Sequence, residues 1–122
     1  MAVGNGTGMT RRKYPRLDVL GRIEGQVLAL DAVLTLRELS LGGFSADSSR
    51  PFAPCLQHTF RFSTAEGLVV DLDAVAVHCR IAAVHTDSGL SYIAGFEWAD
   101  PAASRDAIAQ LVEVLSPELA RR

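Results

Sequence analysis

The sequence predicts a mainly-β domain, a six-stranded antiparallel barrel followed by one C-terminal α-helix. Three features carry that expectation. Short runs in which apolar and polar residues alternate with period two recur between residues 19 and 98, separated by Gly, Pro, Asp and Ser turn signals. Helical periodicity is confined to the C-terminal end. Strands do not alternate with helices, which argues against the parallel sheet of a mononucleotide-binding fold. At 122 residues and 48% hydrophobic, the chain has the length of one domain and enough apolar content for a core.

The elements follow in order. Val19, Gly21, Ile23, Gly25 and Val27 alternate with Arg22, Glu24 and Gln26, predicting a first strand over 19–27. After an apolar turn at 28–31, Val33-Leu34-Thr35-Leu36-Arg37 reads as the second strand. Ser40-Leu41-Gly42-Gly43 breaks it, because paired glycines adopt backbone conformations that other residues resist. A short third strand is expected over 44–47, and Pro51 and Pro54 bracket a loop. The fourth strand, 58–62, puts Phe60 and Phe62 on one face. The apolar stretch 68–84 puts Val75, Val77, Cys79 and Ile81 on a shared face; its length exceeds the usual strand of about five or six residues, predicting two strands or one bent one. After a turn at 86–89, a last strand over 92–98 points Ala94, Phe96 and Trp98 to one side. Asp100-Pro101 pairs an N-cap residue with proline at the first helical position. Ile108, Leu111, Val112 and Leu115 then form one apolar stripe, and Ser116-Pro117 stops the helix. The stripe is expected to cover an edge or mouth of the barrel; the alternative is a dimer contact.

Several function classes are disfavoured. No apolar run reaches the ~18 residues of a membrane-crossing helix. Residues 1–10 are Gly-rich without an apolar h-region, which predicts a flexible leader rather than a secretory signal, and a cytoplasmic protein. The domain is expected over 11–116, with a tail at 117–122. Cys55 and Cys79 read as reduced thiols. Cys55, His58, His78, Cys79 and His85 lack zinc-site spacing, and His78 and Cys79 point to opposite faces of a strand, so no metal is expected. No motif sets a histidine beside a serine or cysteine, and no carboxylate pair stands out, so no enzyme activity is expected. The glycines of Gly4-Asn5-Gly6-Thr7-Gly8 follow no strand and precede no phosphate-binding lysine.

The net charge of −2 hides an asymmetry: Arg11, Arg12, Lys13 and Arg16 precede a body with eight cations against fourteen acids. That pattern suggests a local anion site, the plain alternative being a solvated basic tail. A nucleic-acid polymer is not expected, since the strands lack a series of exposed aromatics for stacking bases. In Arg12-Lys13-Tyr14-Pro15-Arg16, proline keeps Tyr14 out of helix, and two guanidinium forks on such a segment suit phosphate oxygens or the O6 and N7 edge of guanine. In Glu38-Leu39-Ser40-Leu41-Gly42-Gly43, a carboxylate can accept from guanine N1–H and its amino group, while the serine hydroxyl and exposed backbone N–H groups can bond phosphate or base. The plain alternative there is an ordinary turn stapled by its own serine.

Taken together and in this order, the two segments resemble the PilZ domain family. That family has Arg-x-x-x-Arg in an N-terminal segment and Asp/Asn-x-Ser-x-x-Gly some way after it, on a small β-barrel. Arg12 and Arg16 match the first motif, Ser40 and Gly43 the second, and Gly95-Phe96-Glu97-Trp98 is similar to the family's last strand. The likeness spans residues 11–115. It implies a receptor for cyclic di-GMP, with that dinucleotide as ligand rather than cofactor. The signal would pass to an effector protein in motility, exopolysaccharide or biofilm control, from a monomer or weak homodimer. Arg11, Arg12, Arg16, Glu38, Ser40 and Gly43 are the ligand-binding positions so implied, and the arginine segment would order over the barrel on binding. Arg11 is either a third ligand cation or a solvated charge. Glu38 stands where the family has Asp or Asn, which leaves open a PilZ-like protein-interaction module that binds nucleotide weakly or not at all. His78 and Arg80 fall on the outward face of the long strand, where either can border a ligand.

Overall fold

Alternation decides which way each strand faces, and antiparallel pairing closes the faces into a barrel. The structure, a computed structural model, describes residues 16–30, 32–87 and 89–115. The strands are β1 (Leu17–Asp18), β2 (Ile23–Val27), β3 (Ala32–Leu39), β4 (Gly43–Ser48), β5 (Gln57–Thr64), β6 (Val69–His85) and β7 (Gly89–Trp98), followed by α1 (Pro101–Leu115). β2 to β7 form a closed six-stranded antiparallel barrel in the order β3-β2-β5-β6-β7-β4, with β4 returning to β3. The expected barrel and C-terminal helix are both present. β1 is an extra strand that continues the β2 edge of β3, with Leu17 opposite Leu39 and Asp18 opposite Glu38.

The inner face is aromatic. Phe44 lies 4.6 Å from Phe96 in a stacked pair and meets Phe60, Phe62 and Trp98 at 5.2, 5.1 and 5.1 Å between ring centroids. Phe60 and Phe62 are fully buried, as their spacing predicts. Ala74, Ala76 and Ala94 are also fully buried on β6 and β7. Small residues facing large ones let a narrow barrel fill without strain.

Two expectations are corrected. The run over 19–27 is not one strand: Gly21 has φ 79°, and the Arg22 N–H closes a turn onto the Val19 carbonyl at 2.8 Å. Val19 is nonetheless fully buried, so its apolar character reports core position rather than strand. From Val69 on, the stretch over 68–84 lies in a single strand of 17 residues, the one-strand alternative, but Val75, Val77, Cys79 and Ile81 do not share a face. Register shifts between Ala76 and His78 and between Ile81 and Ala83 each insert a residue that reverses the alternation. Ala74 and Ala76 therefore face in, while Val77 and Ile81 are 43% and 55% exposed.

α1 forms as its signals predict. The Ala103 N–H donates to the Asp100 carboxylate at 3.2 Å, and the Ser104 hydroxyl donates to the Asp100 carbonyl at 3.0 Å. Ile108, Leu111 and Leu115 are buried within the chain, so the stripe packs against the barrel and is not left for a dimer contact. The Arg22 guanidinium donates to the Leu115 carbonyl at 2.6 Å, where a cation satisfies an orphan carbonyl at the helix end. The Ser116-Pro117 stop, the leader and the tail lie outside the described residues.

On the outer surface Arg61 sits directly across from Asp71 and donates to both carboxylate oxygens, at 2.9 and 3.0 Å. This bond holds the Asp71 carboxyl below its ordinary range, against a smaller opposing effect of burial. A depressed carboxyl contributes stability above the unfolded-state value and loses it as pH falls through the folded-state value. Asp71→Asn is therefore expected to lower Tm slightly at neutral pH and to leave it unchanged in strong acid, in paired melts across pH.

Candidate ligand cleft

Strand register lays a row of residues across the outside of the barrel. Glu38 on β3 faces Ser45 on β4, Ser45 faces Gly95 on β7, and Gly95 faces His78 on β6. With strands about 4.8 Å apart, Glu38 and His78 stand roughly 14 Å from each other. In the next row Asp47 faces Ile93 and Ile93 faces Arg80. Ser45 and Gly95, both small, occupy the middle. Over them lies an open cleft of about 790 Å³, lined from the β3 side by Arg16, Arg37 and Glu38 and from the β6 side by His78 and Arg80. Ser40, Gly42, Gly43 and Trp98 line it as well.

The turn between β3 and β4 is held from within. The Ser40 hydroxyl accepts from the N–H groups of Gly42 and Gly43 at 3.1 and 3.3 Å, and the Ser40 N–H donates to the Gly43 carbonyl at 2.9 Å. The Trp98 indole N–H donates to the Ser40 carbonyl at 3.0 Å and pins the turn to β7. The expectation of exposed N–H donors is thus corrected at Gly42 and Gly43, whose donors already serve the turn. Gly43 also has an architectural duty: a Cβ there would collide with the Phe96 carbonyl oxygen. Likewise a Cβ on Gly95 would collide with the His78 ring.

Arg16, just before β1, donates to Glu38 at 3.0 Å in an ion pair whose side chains are 45% and 38% exposed. Arg16, 22 residues before Glu38, therefore meets Glu38, Ser40 and Gly43 at one cleft. Arg11 and Arg12 lie outside the described residues. Arg37 is a cleft residue that the sequence reading missed. It donates to both oxygens of Asp47, at 3.0 and 3.1 Å. The signal was present in Leu36-Arg37-Glu38-Leu39, where two polar residues between two inward-facing leucines mark an extra residue in the strand. The register shift between Leu36 and Glu38 is that bulge.

Other chemistry is sparse. His85 and Ser91 lie 3.2 Å apart near the end of the β6–β7 hairpin, and neither lines the cleft. Among the described residues no three His, Cys, Asp or Glu side chains gather as metal ligands, and no helix is long and apolar enough to cross a membrane. Cys55 and Cys79 are free thiols.

Compared with known protein families and with curated proteins, the sequence matches none. Solved structures do match. The chain superposes on the PilZ domain of YcgR from Escherichia coli, a structure with c-di-GMP, at a TM-score of 0.59 and 15% identity, covering 88% of this chain and 98% of that one. The fold is that of a PilZ domain. A longer YcgR structure from Escherichia coli, in complex with c-di-GMP, matches at a TM-score of 0.65 and 19% identity, over 91% of this chain and 48% of that one. The MrkH–c-di-GMP complex of K. pneumonia matches at 0.64 and 15%, over 92% and 56%. The chain thus spans about half of these two larger proteins and nearly all of the isolated PilZ domain.

Proposed function

We propose that this chain is a cyclic di-GMP receptor and adaptor without a catalytic step, which signals to an effector protein in motility, exopolysaccharide or biofilm control. The observation that carries the reading is the meeting of Arg16, Glu38, Ser40 and Gly43 around one cleft of a PilZ fold. Its structural neighbours include YcgR and MrkH bound to c-di-GMP. Arg16 first has to leave Glu38. An exposed ion pair is worth about 0.2–1 kcal/mol, so releasing Arg16 to a ligand phosphate costs little. Arg12 is four residues upstream of Arg16, within about 14 Å of extended chain. On binding, the segment carrying Arg11 and Arg12 closes over the cleft and creates a new surface for the effector. The protein acts in the cytoplasm, as a monomer or weak homodimer, and takes no nucleic-acid polymer.

A second reading, a PilZ-like module working by protein contact alone, is favoured by the pairing of Arg16 with Glu38 and of Arg37 with Asp47. Calorimetric titration with cyclic di-GMP decides between the two. Saturable heat is expected; none at high micromolar ligand, with the protein folded, overturns the receptor. Glu38→Asp is expected to change affinity by less than about tenfold, the equivalent of 1.4 kcal/mol. A larger gain would show that the natural residue leaves the site weak, as the second reading requires.

A further inference from the structure

We propose that Arg80 is a ligand-contacting residue of this cleft, supplying from β6 a guanidinium that neither arginine nor serine motif contains. The inference rests on the cyclic di-GMP reading and deepens it. Among the described residues three arginines line the cleft: Arg16, Arg37 and Arg80. Glu38 neutralises the first and Asp47 the second. Arg80 is exposed and forms no ion pair among the described residues, so it is the cleft cation left without a carboxylate. Its opposite neighbour on β7, Ile93, offers neither charge nor acceptor in its side chain.

The backbone supplies a second, independent observation. With unbroken alternation after the buried Ala74 and Ala76, His78 and Arg80 would turn into the barrel. The extra residue at Val77 reverses that alternation and aims both outward over the cleft. Bulges that re-aim a side chain recur beside functional sites. Here the bulge leaves Val77 43% exposed, an unfavourable position for a valine, and delivers a guanidinium with no ion pair among the described residues to the side of the cleft facing Arg16.

A guanidinium fork fits two features of the dinucleotide, the phosphate oxygens and the O6 and N7 edge of guanine. Three variants separate these sources. Arg80→Ala is expected to weaken cyclic di-GMP binding by about 10- to 100-fold in calorimetry, the range for losing a charge-assisted bond. Arg80→Lys keeps the charge but not the fork. If Arg80 holds phosphate, the lysine restores most of the affinity and Arg80→Ala flattens the salt dependence. If it reads guanine, the lysine does not restore affinity, and Arg80→Ala loses preference for cyclic di-GMP over cyclic di-AMP. Arg61→Ala removes one cation from the outer face away from the cleft and serves as the control. Wild-type binding with Arg80→Ala within twofold, or with Arg61→Ala equally weakened, overturns the Arg80 assignment and leaves the receptor reading standing. No binding by the wild type overturns both.

Discussion

Phe44→Ala is expected to remove about 3–5 kcal/mol of folding stability, the range for truncating a buried phenylalanine to alanine. Phe44 is 5% exposed and stands where four other rings converge, so its loss strands more surface than the loss of a peripheral side chain. Collapse to refill the space is opposed from both sides. Its backbone lies opposite Leu39 on β3 and Phe96 on β7, and Gly43 before it is already in close approach to the Phe96 carbonyl. Domains of this size are stable by about 5–15 kcal/mol, so the variant loses a large share of the folding free energy. Urea titration followed by far-UV circular dichroism measures the loss. Phe44→Leu, which keeps most of the volume, is expected to lose much less. Phe44 also lines the cleft, so ligand affinity should fall together with stability in the alanine variant. A loss below about 1 kcal/mol would place the packing centre elsewhere.

That centre was legible in the sequence because it is written in period two. Phe60 and Phe62, and Phe96 and Trp98, announce their shared inner face by spacing alone, and Asp100-Pro101 announces the helix start. What spacing could not show were the places where alternation is interrupted without an unambiguous break signal. The bulge at Val77 ends the apolar run Ala74-Val75-Ala76-Val77, where every residue suits either face, so the inward set there was misassigned. The turn at Gly21 was hidden because a glycine also fits the alternating pattern and the buried Val19 prolongs it. The candidate site was half legible. Arg16, Ser40 and Gly43 carry motif spacing and Arg80 was read as outward-facing, but Arg37 reaches the cleft only through a bulge and strand register. Ser40 and Gly43 are also required by the turn itself, as the Ser40 hydroxyl bonds and the Gly43–Phe96 approach demonstrate. These two motif residues therefore have an architectural duty to discharge before any ligand arrives.

Arg16→Ala separates those duties most cleanly. Among the described residues its partner is Glu38, in an ion pair with both side chains more than a third exposed, so removal should alter folding stability by no more than about 1 kcal/mol. Removal of a phosphate-binding guanidinium is expected to weaken cyclic di-GMP binding by about 1.5–3 kcal/mol, or one to two decades. The contrast between an almost unchanged melt and a strongly reduced affinity distinguishes a ligand residue from a structural one. Glu38→Ala then gives the sign of the glutamate's contribution. If Glu38 only competes for Arg16, its removal frees the guanidinium and raises affinity by up to the worth of an exposed pair, about fivefold. That gain must vanish in the Arg16→Ala background, because no guanidinium remains to release. If Glu38 instead accepts from guanine, its removal weakens binding in both backgrounds by about 1 kcal/mol or more. Glu38, where the Asp/Asn pattern has a shorter side chain, meets Arg16 at 3.0 Å, so the residue proposed to face the base also sets the resting position of the arginine proposed to bind phosphate.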